Sequence, residues 1–330
     1  MKKIAFFMLV VATFIFNVQW SLAEMIYQKN ITTKQEPEES DSNKFSVLNE
    51  ARYRIDILLP TNGEFISTPT VVVKGMVSGN LVCRDKQVEF GVTVNGIPAA
   101  VRGETWAAEV PLVEGQNIIT ARITLFSGKF FEKSIPVTVV PGEFIMTEAL
   151  PNSGIAPLAV TFKLISAPET SRNCRIDFEG DAVMDQDIVN EISHKYDKAG
   201  IYIPTVICGE YRTENLIEVF RKDKLDAHLL SRWKAMRSSL KQKKIKEAVR
   251  NFTAASQEVY LAQFRAFKDF KGGKIFSQYV RELGSSQINF INAQSNMALY
   301  EILVNREGNR FSFSLEFIRD TDGIWRISRY

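Results

Sequence analysis

From Tyr53 to Val140 apolar and polar positions alternate in short runs, each closed by a turn residue. Residues 55–59 stop at Pro60, residues 70–73 give way to Gly75, and Val92-Thr93-Val94 runs into Asn95-Gly96. Asn and Gly both tolerate positive φ, so this dipeptide between apolar runs predicts a hairpin. A second turn, Glu114-Gly115-Gln116-Asn117, separates residues 107–112 from 118–123. Short strands at such regular spacing predict an antiparallel β-sandwich over residues 51–140, with Trp106 and Phe90 as core residues.

Beyond Asn215 the period lengthens from two to about 3.6. Leu225, Leu229, Trp233, Met236 and Leu240 fall on one helical face. Ile245, Ala248, Val249 and Phe252 repeat the pattern, and Tyr260, Phe264 and Phe267 predict a third helical stretch that Gly272-Gly273 stops. A further short helix is expected over 275–283. Strands then return over 298–304, 311–319 and 324–330, separated by Arg306-Glu307-Gly308-Asn309 and Thr321-Asp322-Gly323. Phe311, Phe313, Leu315 and Phe317 alternate with Ser312, Ser314 and Glu316, so one sheet face is apolar and calls for helices against it. Helices followed by an antiparallel meander predict an α+β unit over 222–330.

The N-terminus changes the setting. Lys2-Lys3, an uncharged apolar run over 4–16 and the small residues Ser21 and Ala23 predict a signal peptide over 1–23. An uncleaved anchor is the alternative, but Asn17 and Gln19 interrupt the apolar run a spanning helix needs. Residues 24–50, with Pro37 and the acidic cluster Glu36, Glu38, Glu39 and Asp41, bury too little apolar surface to fold and predict a flexible acidic linker. The chain is therefore expected in the periplasm or outside the cell, with no stable membrane span after cleavage. Its formal net charge is +3, and removing Lys2 and Lys3 with the leader brings it within one charge of neutral, so a nucleic-acid partner has no global electrostatic support.

Three stretches resemble known families. Val92 to Gly96, the 107–112 run, the Glu114 to Asn117 turn and Ile119-Thr120-Ala121 resemble bacterial immunoglobulin-like domains. Over 141–215, residues 154–162 and 194–206 resemble the first and last strands of a polycystic-kidney-disease (PKD) domain. That family's central Trp-Asp-Phe-Gly-Asp-Gly is represented by Ile176-Asp177-Phe178-Glu179-Gly180-Asp181, which departs at Ile176 and in the place of the glycine. The element order over 222–330, with the closing Asp322-Gly323-Ile324-Trp325 hairpin, resembles the nuclear-transport-factor-two-like fold, also called ketosteroid-isomerase-like. The resemblances imply a multidomain chain: two all-β immunoglobulin-like sandwiches followed by an α+β cone, in which helices pack on a curved antiparallel sheet around a pocket. The sandwiches would act as spacer or binding modules.

Candidate chemistry is sparse. Cys174 and Cys208 can face each other across the core of an exported sandwich, where a disulfide would contribute roughly 3–4 kcal/mol in the chain-entropy model. Two buried thiols are the alternative, and Cys83 is left over. Asp177, Glu179, Asp181 and Asp185 alternate in a turn, a pattern that offers oxygen ligands to Ca2+ or else forms a solvated acidic hairpin tip. Trp233, Tyr260, Phe264, Tyr300, Phe313 and Phe317 either line a pocket for a small apolar ligand in the cone or fill its core. Glu301 or Glu316 would supply the acid or base if the cone were an enzyme, although alternation turns Glu316 toward solvent. His194 reads as structural, and His228 has no nucleophile in an elbow-like context. No Gly-x-Ser-x-Gly, phosphate loop or His-Glu-x-x-His occurs.

Residues 221–250 carry a local +8, read as a wet helix surface or as a contact for an anionic envelope polymer. The expected function is that of an exported, non-enzymatic binding or structural protein whose partner is a protein or a cell-envelope polysaccharide. Adhesion through the sandwiches would need an exposed row of aromatics, and an acid–base enzyme in the cone is the alternative.

Overall fold

Alternation becomes strand throughout the first body of the computed structural model, which describes residues 53–330 except 80, 81, 84, 85, 88, 169–172 and 307. The expected leader over 1–23 and linker over 24–50 lie outside the described residues. Tyr53–Leu59, Thr70–Gly79, Thr105–Pro111 and Ala100–Arg102 form one sheet in that order. Phe65–Ile66, Phe130–Val139, Gly115–Leu125, Phe90–Val94 and Ile97–Pro98 form the other. Val73 and Val77 of the first sheet meet Val92, Ile119 and Ile123 of the second in a single core that also buries Trp106. The hairpin at Asn95-Gly96 forms as the dipeptide requires, with positive φ at both residues.

The second body divides its strands among three short sheets. Met146–Leu150, Leu158–Ser166 and Glu191–Tyr196 make one, Ser153–Ile155, Ile217–Phe220 and Gly200–Tyr202 another. Gln186–Ile188, Cys174–Asp177, Thr205–Cys208 and Tyr211–Glu214 make the third. Pro151, Pro157 and Pro204 fall between these strands, where a residue without an N–H cannot continue a ladder. The sheets share one core around Val160, Phe162, Ile176, Val206 and Ile217.

Both bodies open with the same device. The first strand pairs antiparallel with one sheet and stops at Leu59-Pro60 or Leu150-Pro151, and the chain crosses to pair in parallel with the body's last strand.

In the third body four helices cover a four-stranded antiparallel meander. The helices are α1 (Lys222–Lys241), α2 (Ile245–Val249), α3 (Ala254–Asp269) and α4 (Lys274–Ser285), with a 3-10 turn at Phe270–Gly273 before α4. The meander runs Gln287–Gln294, Met297–Arg306, Asn309–Arg319, Trp325–Arg329. Leu225, Leu229, Trp233, Met236 and Leu240 are the buried apolar residues of α1, as their spacing predicts; α3 ends earlier than the glycines suggest, at Asp269, and Gly273 at positive φ marks the start of α4.

Two expectations need correction here. The strand Gln287–Gln294 escapes sequence analysis because Asn289, Asn292 and Gln294 dilute its apolar alternation. The apolar face of Asn309–Arg319 is covered only from Leu315 onward, leaving Phe311 and Phe313 42% and 47% exposed.

The three cores are separate, yet almost no slack connects them. Residues 140–145 join the first body to the second, with Ile145 buried, and Arg221 alone separates Ile217–Phe220 from α1. Residues 51–330 therefore form one compact unit.

Candidate functional site

Trp233, Tyr260, Phe264, Tyr300 and Phe317 do not line a pocket; all five are buried in the core of the third body. Tyr260 packs on Phe264 and Tyr300 lies edge-on to Phe317, while the Tyr300 hydroxyl donates to Asp226 Oδ1 at 2.7 Å. Aromatic area fills this core; the Tyr300 hydroxyl is satisfied from α1 and the Tyr260 hydroxyl by the Tyr330 backbone, while the buried Trp233 Nε1 finds no hydrogen-bond partner. Phe313, the sixth candidate, stands on the exposed half of its strand.

The acidic quartet is turned on its own backbone. Asp177 is buried and accepts N–H groups from Glu179, Gly180 and Ala182 at 3.0, 2.7 and 2.7 Å. Asp185 accepts from Phe178 N at 2.8 Å, Asp181 from Val183 N at 2.9 Å, and Glu179 pairs with His194 Nε2 at 3.3 Å. Both Asp177 oxygens thus accept backbone N–H groups, while Asp181 and Asp185 each use one oxygen in this way. No cluster of three or more His, Cys, Asp or Glu side chains among the described residues is placed to hold a metal. His194 stacks on Phe178 and meets Tyr196 edge-on, a structural position.

Cys174 and Cys208 form the expected disulfide. They are directly opposed residues of neighbouring antiparallel strands, 4.1 Å apart at Cα, so the bond clips one sheet and does not cross the core. Cys83 lies in the strand Val82–Cys83, paired with Lys86–Gln87. Glu301 accepts from Ser312 at 2.8 Å and Asn289 at 3.1 Å, which hold its carboxyl below the usual range. Glu316 shares the face opposite Phe317 and is covered by Arg329 at 3.0 Å. Neither carboxylate borders the cleft described below.

An open site exists instead where the three bodies meet. Strand Asn309–Arg319 points Leu315, Phe317 and Arg319 to one face, so its last residue carries a guanidinium in phase with the buried apolar side chains. The buried Arg319 donates from Nη1 to the Ala99 carbonyl at 3.0 Å and from Nη2 to Glu218 Oε1 at 2.8 Å. It thus ties the third body to the first and the second. Beyond it, the Asp322-Gly323 turn reaches the strand Phe90–Val94 so closely that a Cβ on Gly91 would lie 2.3 Å from the Asp322 carbonyl oxygen. Arg326 fixes this turn by bonds to Asp320 at 3.1 Å and to both oxygens of Asp322 at 2.6 Å.

Two further contacts close the junction. Helix α1 brings Arg232 onto Glu89 as an ion pair and onto the Phe126 ring, 3.9 Å from its centroid. Burial, with the nearby Arg326 charge, pushes the Arg232 guanidinium down to about 9. The first and second bodies meet through Arg102 Nη1 and the Ala199 carbonyl at 2.7 Å, and through Lys74 and Glu214 at 3.3 Å.

Between these contacts opens a cleft of about 650 Å3 with walls from all three bodies, among them Phe90, Arg102, Phe220, Lys224, His228 and Trp325. Burial, reinforced by the Arg319 charge, lowers the His228 pKa, so its imidazole is neutral at physiological pH. Glu89 lies 3.6 Å away but is already held by Arg232. Sequence analysis missed this site because inter-body contacts leave no periodicity. The legible trace was a charged residue, Arg319, continuing an inward apolar phase.

No family model matches this chain, and no curated relative does. Among solved structures, fibronectin(III)-like modules of Clostridium thermocellum CbhA share 12% identity, covering 51% of this chain and 94% of that one at a TM-score of 0.20. The Bacteroides ovatus mixed-linkage glucan utilization locus protein SGBP-B, in complex with a mixed-linkage heptasaccharide, shares 10% identity over 51% of this chain and 47% of that one at a TM-score of 0.20. Dimeric latent PorU from Porphyromonas gingivalis shares 14% identity at a TM-score of 0.29, and the matched region spans 57% of this chain and only 22% of that one.

Proposed function

We propose that the chain is an exported, non-enzymatic binding protein: a bacterial immunoglobulin-like sandwich and a PKD-like sandwich, fixed to a nuclear-transport-factor-two-like α+β body, hold a ligand in the cleft between them. The observation that carries this reading is the 650 Å3 opening walled by all three bodies, within the size range of small-ligand sites. Inside the third body, by contrast, the expected pocket is occupied by aromatic side chains. Export is supported by the leader pattern and by the Cys174–Cys208 disulfide, since such bonds persist in oxidising compartments. No helix among the described residues is long and apolar enough to cross a membrane.

A non-enzymatic role is supported by the way the titratable groups are used. Arg319, Glu218, Arg232 and Glu89 are committed to one another across body boundaries, and Glu301 and Glu316 to neighbouring strands. Adhesion through a sandwich face is less well supported, since the exposed aromatics of the two sandwiches, Phe65 and Phe130, form no row, and Arg122 lies over Phe130.

The test is occlusion. Ser231 lies on the cleft wall at the exposed side of α1. Ser231→Trp should abolish binding of any ligand found by a thermal-shift screen of the full chain while leaving the circular dichroism spectrum unchanged. A ligand that binds the variant as well as the original chain would place the site elsewhere.

A further inference from the structure

The charges around the cleft do not balance locally. Its walls carry Arg102, Arg221, Lys224 and Arg319 against Glu89 and Glu218. Glu218 is taken by Arg319 and Glu89 by Arg232, while Arg221 holds Asp223 in a two-pronged bond at 2.6 and 2.8 Å. His228 adds no positive charge, because burial lowers its pKa. Two cations remain. Arg102 bonds a carbonyl oxygen, and Lys224 has a Coulombic attraction to Asp223, a carboxylate already held by Arg221. They come from different bodies, the first sandwich and α1, and both border the same cavity.

Resting on the reading of the cleft as the ligand site, we infer that its ligand is an acidic oligosaccharide, whose carboxylates pair with Lys224 and Arg102 while its sugar rings lie against the half-buried Phe90 and Phe220. Two exposed cations on one cavity rim attract carboxylates through charge-assisted hydrogen bonds. The aromatic walls suit the apolar C–H faces of sugar rings. An extended peptide fits less well, because strand addition needs an open sheet edge. Ala100–Arg102 and Gly200–Tyr202 are both edge strands bordering the cleft, but the Arg102 side chain bridges from one to the Ala199 carbonyl beside the other. Main-chain recognition is thereby obstructed, leaving side-chain and ring contacts.

Isothermal titration calorimetry on the full chain tests this with three probes: trigalacturonate, neutral maltotriose and triglutamate. Trigalacturonate should bind, with affinity falling as salt is raised. Lys224→Gln should weaken it about tenfold or more, the worth of one charge-assisted hydrogen bond. Lys224→Arg should restore it, and Lys246→Gln on α2 should leave it unchanged. Equal binding of maltotriose would keep the cleft as a ligand site but overturn the acidic assignment. Binding of triglutamate without trigalacturonate would make the ligand a peptide, and absence of trigalacturonate binding would overturn the assignment outright. Trigalacturonate binding that survives Ser231→Trp would remove the cleft reading together with this one.

Discussion

Arg319 and Glu218 meet at 2.8 Å with both side chains largely buried, although they are 101 residues apart and belong to different bodies. The pair is completed by the Ala99 carbonyl of the first body, so one guanidinium organises the whole junction. Removing a single partner of a buried pair strands the other charge, a loss of roughly 3–5 kcal/mol. Arg319→Ala should therefore lower the urea midpoint markedly, and Arg319→Met combined with Glu218→Leu should recover much of the loss. An Arg319→Ala midpoint equal to that of the original chain would show the junction to be dispensable.

Gly91 is required by proximity. Its φ is ordinary, but an added Cβ would meet the backbone of Asp322, Gly323 and Ile324 at 2.3 to 2.6 Å. Backbone cannot swing aside as a flexible side chain can. Gly91→Ala should cost about 1–3 kcal/mol, the usual scale of overpacking. Chemical denaturation read through the neighbouring Trp325 should show an earlier transition, and an unchanged one would mean that the turn does not dock on the strand Phe90–Val94.

The Cys174–Cys208 disulfide closes a loop with a sequence separation of 34 residues. Restricting that loop in the unfolded chain contributes roughly 3–4 kcal/mol in the entropic model. A Cys174→Ser, Cys208→Ser chain should unfold at lower denaturant by that amount while keeping its β-rich circular dichroism spectrum. Equal stability with and without the bond would mean that it adds nothing to the sheet it clips.

His228 gives the junction a pH dependence of known sign. Burial and Arg319 hold its folded pKa below the unfolded value of about 6.5. As pH falls through that value the unfolded chain takes up a proton first, so stability is complete above it and declines toward the folded pKa. Urea midpoints at pH 7, 6 and 5 should therefore fall less steeply in His228→Gln than in the original chain. Parallel slopes would contradict the assignment.

Local order was legible where one period governs one element. The α1 face from Leu225 to Leu240 and the Asn95-Gly96 hairpin follow from spacing and backbone preference alone. The aromatic set around Tyr260 and Tyr300 was legible as apolar, with pocket lining and filled core both left open, since periodicity reports which way a side chain points and not what meets it. Asp177 shows the same limit: alternating carboxylates suggest a cation, whereas both Asp177 oxygens accept adjacent N–H groups. Lys224 and Arg102 were unreadable as partners because the 121 intervening positions carry no common pattern, and only folding brings both to one cavity.

The most direct measurement is the distance between the first and third bodies, which no short segment connects. Spin labels at Val113, 70% exposed, and at the exposed Lys246, with Cys83 replaced by Ser, would report it by double electron–electron resonance on the full chain. A fixed cleft predicts one narrow distance distribution that broadens in Arg319→Ala. A broad distribution in the chain with Arg319 intact would mean that the bodies move independently and that no such site persists.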